Sequence, residues 1–320
     1  SVASRELISR FDASPTFTVL DIVGSPDEVE ADLERGAAWM ALVVPRGYGA
    51  ALASGRPQAV QILADGSDAN SAGLSMSYAS NLIAGYSQET AARAALAAGA
   101  TSAPQPSIQP VVRVWFNPRL ESRDFMIPGI VALLLLVVTT NLSSMAIVRE
   151  KELGTLEQLN VTPLSRAQLI VGKLLPYGLV GLIDVLLVLS VAILWFKVPM
   201  RGSYVLLMGT TLIYLVSTLG LGLFVSTISQ TQQQAMMTTT FFFLMPMMLL
   251  SGFVFPIENM PAAIQPVTYL IPLRYFLVIL RSIFLKGVGL ETLWPQALAL
   301  AGWSAGILAL AIARSTKRSA

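Results

Sequence analysis

The sequence predicts a multi-pass α-helical membrane domain preceded by an N-terminal α/β domain. Three observations carry that expectation. The 320 residues are 54% hydrophobic and 12% charged, with a mean hydropathy of +0.65, too apolar for a soluble chain. Five apolar runs, roughly 126–148, 174–196, 203–226, 235–255 and 293–313, are each long enough to cross about 30 Å of hydrocarbon. Residues 1–125, in contrast, alternate β-prone runs with capped helical stretches. The chain has no Cys and no His, which removes disulfides, thiolate chemistry, Cys/His zinc sites and a Ser–His pair. A formal net charge of +2, with no basic stripe interleaved with aromatics, gives no footprint for nucleic acid.

Within residues 1–125, Thr16–Val23 reads as a first strand. Ser25-Pro26-Asp27-Glu28 opens a helix, with serine as N-cap, proline in the first turn and glutamate closing a capping box, and Gly36 stops it. Ala38–Val44 is the second strand, and the strand–helix–strand order predicts a parallel pair. A short helix at Tyr48–Ala53, a strand near Ala59–Ala64 and a long helix from about Ser71 to Ala98 follow. Thr101–Pro110 is a Pro/Ser/Gln linker, and Val111–Phe116 is the last strand. Asp65, Asp68 and Asn70 fit no known calcium loop and read as a turn with a helix cap.

In the membrane domain (126–320), short loops separate the spans except at 149–173 and 256–292. The second of these holds an apolar stretch, Ile264–Leu285, broken by Pro266 and Pro272, which predicts short helices dipping in from one face as an outer re-entrant segment, 256–290. An ordinary surface loop is the alternative. Placing the 149–173 loop and the C-terminal tail inside puts seven Lys/Arg there (Arg149, Lys151, Arg166, Lys173, Arg314, Lys317, Arg318). The other side then has five: Lys197, Arg201, Arg274, Arg281 and Lys286. The positive-inside rule therefore places residues 1–125 outside, as an extracytoplasmic domain, and the C-terminus in the cytoplasm. An outer N-terminal domain needs something to carry it across, and no signal sequence precedes Ser1. The expectation is a missing upstream span: five spans present and six in the full subunit.

The stretch Arg149–Lys173 is the one long charged interruption between two apolar runs. It reads as a short amphipathic helix, with Leu153 and Leu156 on one face and Glu150 and Glu157 beside it. A break at Thr162-Pro163 follows, then a second helix opened by Ser165 and Gln168. A solvated loop with ordinary juxtamembrane charges is the competing reading. Asp184 sits near the middle of its span, where an ionisable group is costly. It lines a path, takes up a proton, pairs with a basic group such as Arg274, or is a buried hydrogen-bonded side chain. Arg274 and Arg281, seven apart, either gate an outer exit or snorkel to headgroups. Ser229–Gln234 is an uncharged turn offering a minor partner contact. Phe241–Phe243 and the methionines Met236, Met237, Met245, Met247 and Met248 read as helix packing. Ala167–Leu174 lacks the glycine and Ser/Thr of a phosphate-binding loop, so any ATP must be bound elsewhere.

Arg149–Gln158 (R-E-K-E-L-G-T-L-E-Q) followed by Val161-Thr162-Pro163 closely resembles the first cytoplasmic loop of ABC-2 type transporter permeases. The resemblance extends to Gly172–Tyr177, Ser226–Gln234, Leu250–Pro261 and Ile271–Phe276. Val60–Asn70 and Asn117-Pro118 look like the branch with a large domain between the first and second spans. It implies a permease half-transporter, paired with itself or a close paralogue, in a bacterial inner membrane. The permease itself binds no cofactor; ATP and Mg belong to a separate ATP-binding subunit. That subunit would dock on a coupling helix at 149–160, through Glu150, Lys151, Glu152, Gly154, Thr155, Glu157 and Gln158. A periplasmic adaptor and an outer-membrane channel often accompany such relatives. Asp184 departs from the family pattern. With Phe255, Glu258, Arg274 and Arg281 it completes the set of candidate path or gate residues. The expected function is outward transport of amphipathic drugs or lipids. The rivals are a non-transporting sensor or scaffold using the outer domain, and an ion-coupled carrier using Asp184.

Overall fold

A computed structural model describes residues 1–98, 107–154 and 166–316, in two compact units, Ser1–Ser122 and Arg123–Ala320. The first unit is a small three-stranded sheet with helices. Helix α1 (Val2–Asp12) starts in a reciprocal Ser1/Ser4 capping box that the sequence reading passed over. Helix α2 (Pro26–Arg35) has the expected Ser25 cap and Gly36 stop, at φ +69°, but the Ser25 side chain accepts from the Asp27 backbone N–H, so the expected capping box with Glu28 is corrected to a simple N-cap. Strand β1 (Met40–Val43), helix α3 (Tyr48–Ala53), strand β2 (Gln58–Asp65), helix α4 (Ala69–Ala98) and strand β3 (Ile108–Trp115) complete it.

The sheet order is β1-β2-β3, with β1–β2 antiparallel and β2–β3 parallel across α4. The crossover helix is therefore α4, which corrects the expected parallel pairing of 16–23 with 38–44. Thr16–Val23 is not a strand. Its Phe17 and Val19 side chains pack on the core while Leu20 and Ile22 stand exposed, and no ladder pairs it among the described residues. Alternation marked a two-sided extended segment, but a strand also needs a neighbour to bond. The core joins Leu7 and Phe11 of α1, Tyr48 and Leu52 of α3, Val60 and Ile62 of β2, and Ile83 and Tyr86 of α4. Arg10–Glu89 and Arg93–Glu6 pairs fasten α1 to α4 at the surface. Asp65 accepts from the Ser67 N–H, and Asp68 accepts from Ser71 through both its backbone N–H and its hydroxyl. That is a turn and a helix cap, and no cluster of three metal-ligating side chains occurs among the described residues.

The second unit is helical. Among the described residues, four helices are long and apolar enough to cross a membrane: 122–152, 172–195, 204–228 and 290–314. They belong to α5 (Ser122–Glu152), α6 (Arg166–Ser190, continued by a π-helical turn Val191–Trp195), α7 (Tyr204–Ile228) and, after the elements below, α11 (Leu290–Thr316). The run at 235–255 is divided into α8 (Gln232–Thr238), a π-helical turn Thr239–Leu244 and α9 (Met245–Leu250), and the chain leaves the helix at Ser251. Pro266 sits in the first turn of a 3₁₀ piece, Gln265–Leu270, and Pro272 opens α10 (Pro272–Arg281), so the segment is two short helices broken at Ile271.

Helix α7 is the centre of this unit. Its apolar window is 72% buried, against 50%, 22% and 17% for α5, α6 and α11. Tyr214 of α7 stacks on Phe276 of α10 with centroids 4.0 Å apart and donates to the Ala132 carbonyl of α5 at 3.2 Å. Below it runs a polar seam. The Thr139 and Thr218 hydroxyls are hydrogen-bonded at 2.7 Å, Thr140 donates to Thr218 O at 3.3 Å, and Ser143 donates to Leu219 O at 3.1 Å. Such short side chains let two backbones approach within an apolar bilayer, where hydrophobic burial cannot drive helices together. The approach requires Gly222: a Cβ there would lie 2.6 Å from Thr140 O.

Candidate functional site at the charged end of helix α5

Four charged residues, Arg149-Glu150-Lys151-Glu152, form the last turn of α5. Gly154, at φ +71°, ends it, a backbone conformation that glycine adopts without a Cβ penalty. Of the expected coupling helix 149–160, residues 149–152 finish the membrane helix, and Gly154 follows its end. Thr155, Glu157 and Gln158, with Thr162, Pro163 and Ser165, lie outside the described residues.

Three of the four charges are held by other elements of the unit. Glu150 pairs with Lys173 of α6, with side chains 30% and 18% exposed. The Lys151 ammonium donates to the carbonyl of Ser226 and, at 3.3 Å, to that of Ser229. Those carbonyls belong to the C-terminal end of α7, where carbonyls lack intrahelical donors and the helix dipole favours a cation. Glu152 accepts from the Gln232 backbone N–H at 2.8 Å and from the Gln232 side-chain amide at 2.5 Å. Gln232 is the first residue of α8, where free N–H groups favour an anion. Adjacent residues of α5 therefore grip the two sides of the α7–α8 turn. Leu153 stands 66% exposed beyond them.

The candidate path residues are not gathered into one site. Arg274 donates to the Thr268 hydroxyl and lies 3.9 Å from the centre of the Tyr269 ring. Arg281 donates to Gly252 O at 3.2 Å and lies 3.7 Å from the centre of the Phe125 ring. Their shared helical spacing thus leads to different neighbours. The proposed Asp184–Arg274 pair does not form: Asp184 Oδ2 is buried with no hydrogen-bond partner among the described residues. Phe255 is exposed. Glu258 is the middle residue of a 3₁₀ turn, Ile257–Asn259. Two features escaped the sequence reading. Gln232 carries no local signal, within the uncharged stretch Ser229–Gln234, that Glu152 reaches it. The seam had a signal, the run Thr139-Thr140-Asn141-Leu142-Ser143-Ser144 inside an apolar span.

Comparison with known proteins agrees with this architecture. The ABC-2 family transporter protein family matches residues 1–313. The probable multidrug ABC transporter permease YbhR of Escherichia coli (strain K12) is 34% identical over 292 residues, covering 91% of this chain and 77% of that protein. The probable multidrug ABC transporter permease YbhS of the same organism is 36% identical over 261 residues, covering 81% of this chain and 68% of that one. The inner membrane transport permease YhhJ of that strain is 28% identical over 298 residues. A family match along nearly the whole chain, together with helices long enough to cross a bilayer on a polar-seamed core, identifies this chain as a member of the ABC-2 family of transporter permeases.

Proposed function

We propose that this chain is the membrane-spanning subunit of an ATP-driven exporter in a bacterial inner membrane, moving amphipathic drugs or lipids outward. Residues 1–125 lie outside, the C-terminus is cytoplasmic, and 235–255 supplies a further crossing. A separate ATP-binding subunit docks on the outer part of the stretch 149–160, from Leu153 onward, with Glu157 and Gln158 in its groove, and a second permease subunit completes the path. The outer segment 256–290, with Phe255, Glu258, Arg274 and Arg281, closes the outer exit, and Asp184 faces the path. An adaptor and an outer-membrane channel would extend the route.

The observation that carries this reading is the fastening of the α5 end. Glu150 is tied to α6, Lys151 to α7 and Glu152 to α8. A force applied just beyond Gly154 is therefore delivered to the ends of three further helices, which a free juxtamembrane loop would not do. The chain has no cysteine, so a single one at Gln158 can be tested for crosslinking to cysteines around the groove of the ATP-binding subunit. A specific crosslink, with turnover lost in Glu157→Arg, is expected. Labelling of Gln158 from the outside, with no ATP-binding subunit co-purifying, would refute both topology and function.

A further inference from the structure

The resemblance that suggests a coupling helix assigns Lys151 and Glu152 to contact with the ATP-binding subunit. The geometry points to a different role. Lys151 and Glu152 are positioning residues, a two-pronged clasp that makes the α7–α8 turn, Ser229–Thr231, move as one body with the end of α5. This rests on the transporter reading above and concerns how motion travels once the partner has docked.

The two prongs are chemically matched to what they hold. The last carbonyls of α7 have no donors of their own, and the Lys151 ammonium supplies them. The first N–H groups of α8 have no acceptors of their own, and the Glu152 carboxylate supplies one while also binding the Gln232 amide. Exchanging the two charges would set a carboxylate against carbonyls and an ammonium against N–H groups. The order Lys-then-Glu is therefore required by the chain direction through the turn. Lys151 and Glu152 spend their hydrogen bonds inside the subunit, which leaves the exposed Leu153, and the chain after it, to face a partner. Without the clasp, α5 would still reach α7 through the seam at Thr139–Ser143, but α8 would lose its hydrogen bonds to the α5 end and keep the apolar packing of Ala235 with Val148 and Val225.

Two measurements test this. The first uses the full permease alone in nanodiscs and follows amide hydrogen exchange of the segment 229–236. Glu152→Ala is expected to speed exchange about tenfold, while Glu152→Gln, which keeps an acceptor and a donor, changes it less than about twofold. Equal exchange in wild type and Glu152→Ala would overturn the clasp. The second uses spin labels on cysteines at the exposed positions 153 and 233, in the complex with the ATP-binding subunit, without nucleotide and after trapping with ATP and vanadate. In wild type the interlabel distance stays the same on trapping. In Lys151→Met and Glu152→Ala it shifts or broadens, while the partner still co-purifies and hydrolyses ATP. Loss of co-purification in these variants alone would make them docking residues and overturn the proposal. If wild type binds no ATP-binding subunit, the transporter reading fails and the coupling role falls with it, while the exchange experiment still judges the clasp itself.

Discussion

Replacing Gly222 by alanine tests whether the α5–α7 seam holds the membrane unit together. The added Cβ would sit 2.6 Å from Thr140 O, 2.7 Å from Ser143 Cβ and 3.0 Å from Ser143 Oγ. Thr140 and Ser143 are fully buried, and the closest of these atoms is a backbone carbonyl, so no flexible side chain can swing away. Restoring van der Waals distance requires the helices to separate by close to about 1 Å. The Ser143–Leu219 bond at 3.1 Å and the Thr140–Thr218 bond at 3.3 Å would then pass out of hydrogen-bonding range. Overpacking costs about 1–3 kcal/mol, and each interhelical bond lost in a membrane costs about 0.6 kcal/mol. Alanine returns up to about 1 kcal/mol of helix propensity over glycine. The net loss is about 2 kcal/mol, or a fall in melting temperature of roughly 4–8 °C for a unit of this size. Gly209, on the same helix with nothing within 4 Å of its added Cβ, is the control, and Gly209→Ala should melt at or slightly above wild type. The assay is intrinsic tryptophan fluorescence of the full chain during heating in detergent. A Gly222→Ala melt within about 1 °C of wild type, or an equal fall in Gly209→Ala, would refute the seam as the structural joint.

The same seam should show pairwise coupling. In a double-mutant cycle of Thr139→Val and Thr218→Val, an interaction energy of about 0.6–1.7 kcal/mol is expected from the melts, and strict additivity would contradict the hydrogen bond. At the charged end, Glu150→Lys and Lys173→Glu should each lower the melting temperature, and the double swap should recover most of it. Failure of the swap to rescue would mean that the pair does not fasten α5 to α6. In the N-terminal unit, the Arg10 guanidinium beside Glu89 holds that carboxyl below its ordinary range. The folded value thus lies below the unfolded one of about 4.3, so its stabilisation is complete above that pH and is lost as pH falls through the lower, folded value. Limited proteolysis of the full chain from pH 6 to pH 3 should show this acid loss of protection reduced in Glu89→Gln.

Much of this protein is legible without coordinates, because some signals are local. The apolar runs report spans through the cost of placing polar backbone in hydrocarbon, and the caps at Ser25, Gly36 and Asp68 report helix ends through groups a few residues apart. The charged stretch from Arg149 was visible for the same reason: charges between two spans must find water or a partner. The family resemblance then placed a docking function on it, and residues 1–313 do belong to that family. What failed was non-local. Thr16–Val23 has the alternation of a strand, but pairing depends on a neighbour distant in sequence, and none takes it up among the described residues. The antiparallel turn from β1 to β2 depended on α3 being too short to act as a crossover.

Spacing along a helix likewise fixed which residues share a face but not what that face meets. Arg274 and Arg281 go to different neighbours, and Asp184 does not pair with Arg274. The clasp is the clearest case. Lys151 and Glu152 are adjacent in sequence, and their charges alone mark them only as polar. The carbonyls of Ser226 and Ser229 and the N–H of Gln232 are backbone groups, which every residue carries and no sequence pattern distinguishes. Composition and periodicity determined that this chain lies in a membrane and where its charged end falls. Only tertiary packing, by bringing the end of α7 and the start of α8 beneath that charged turn, decided which of its charges face inward.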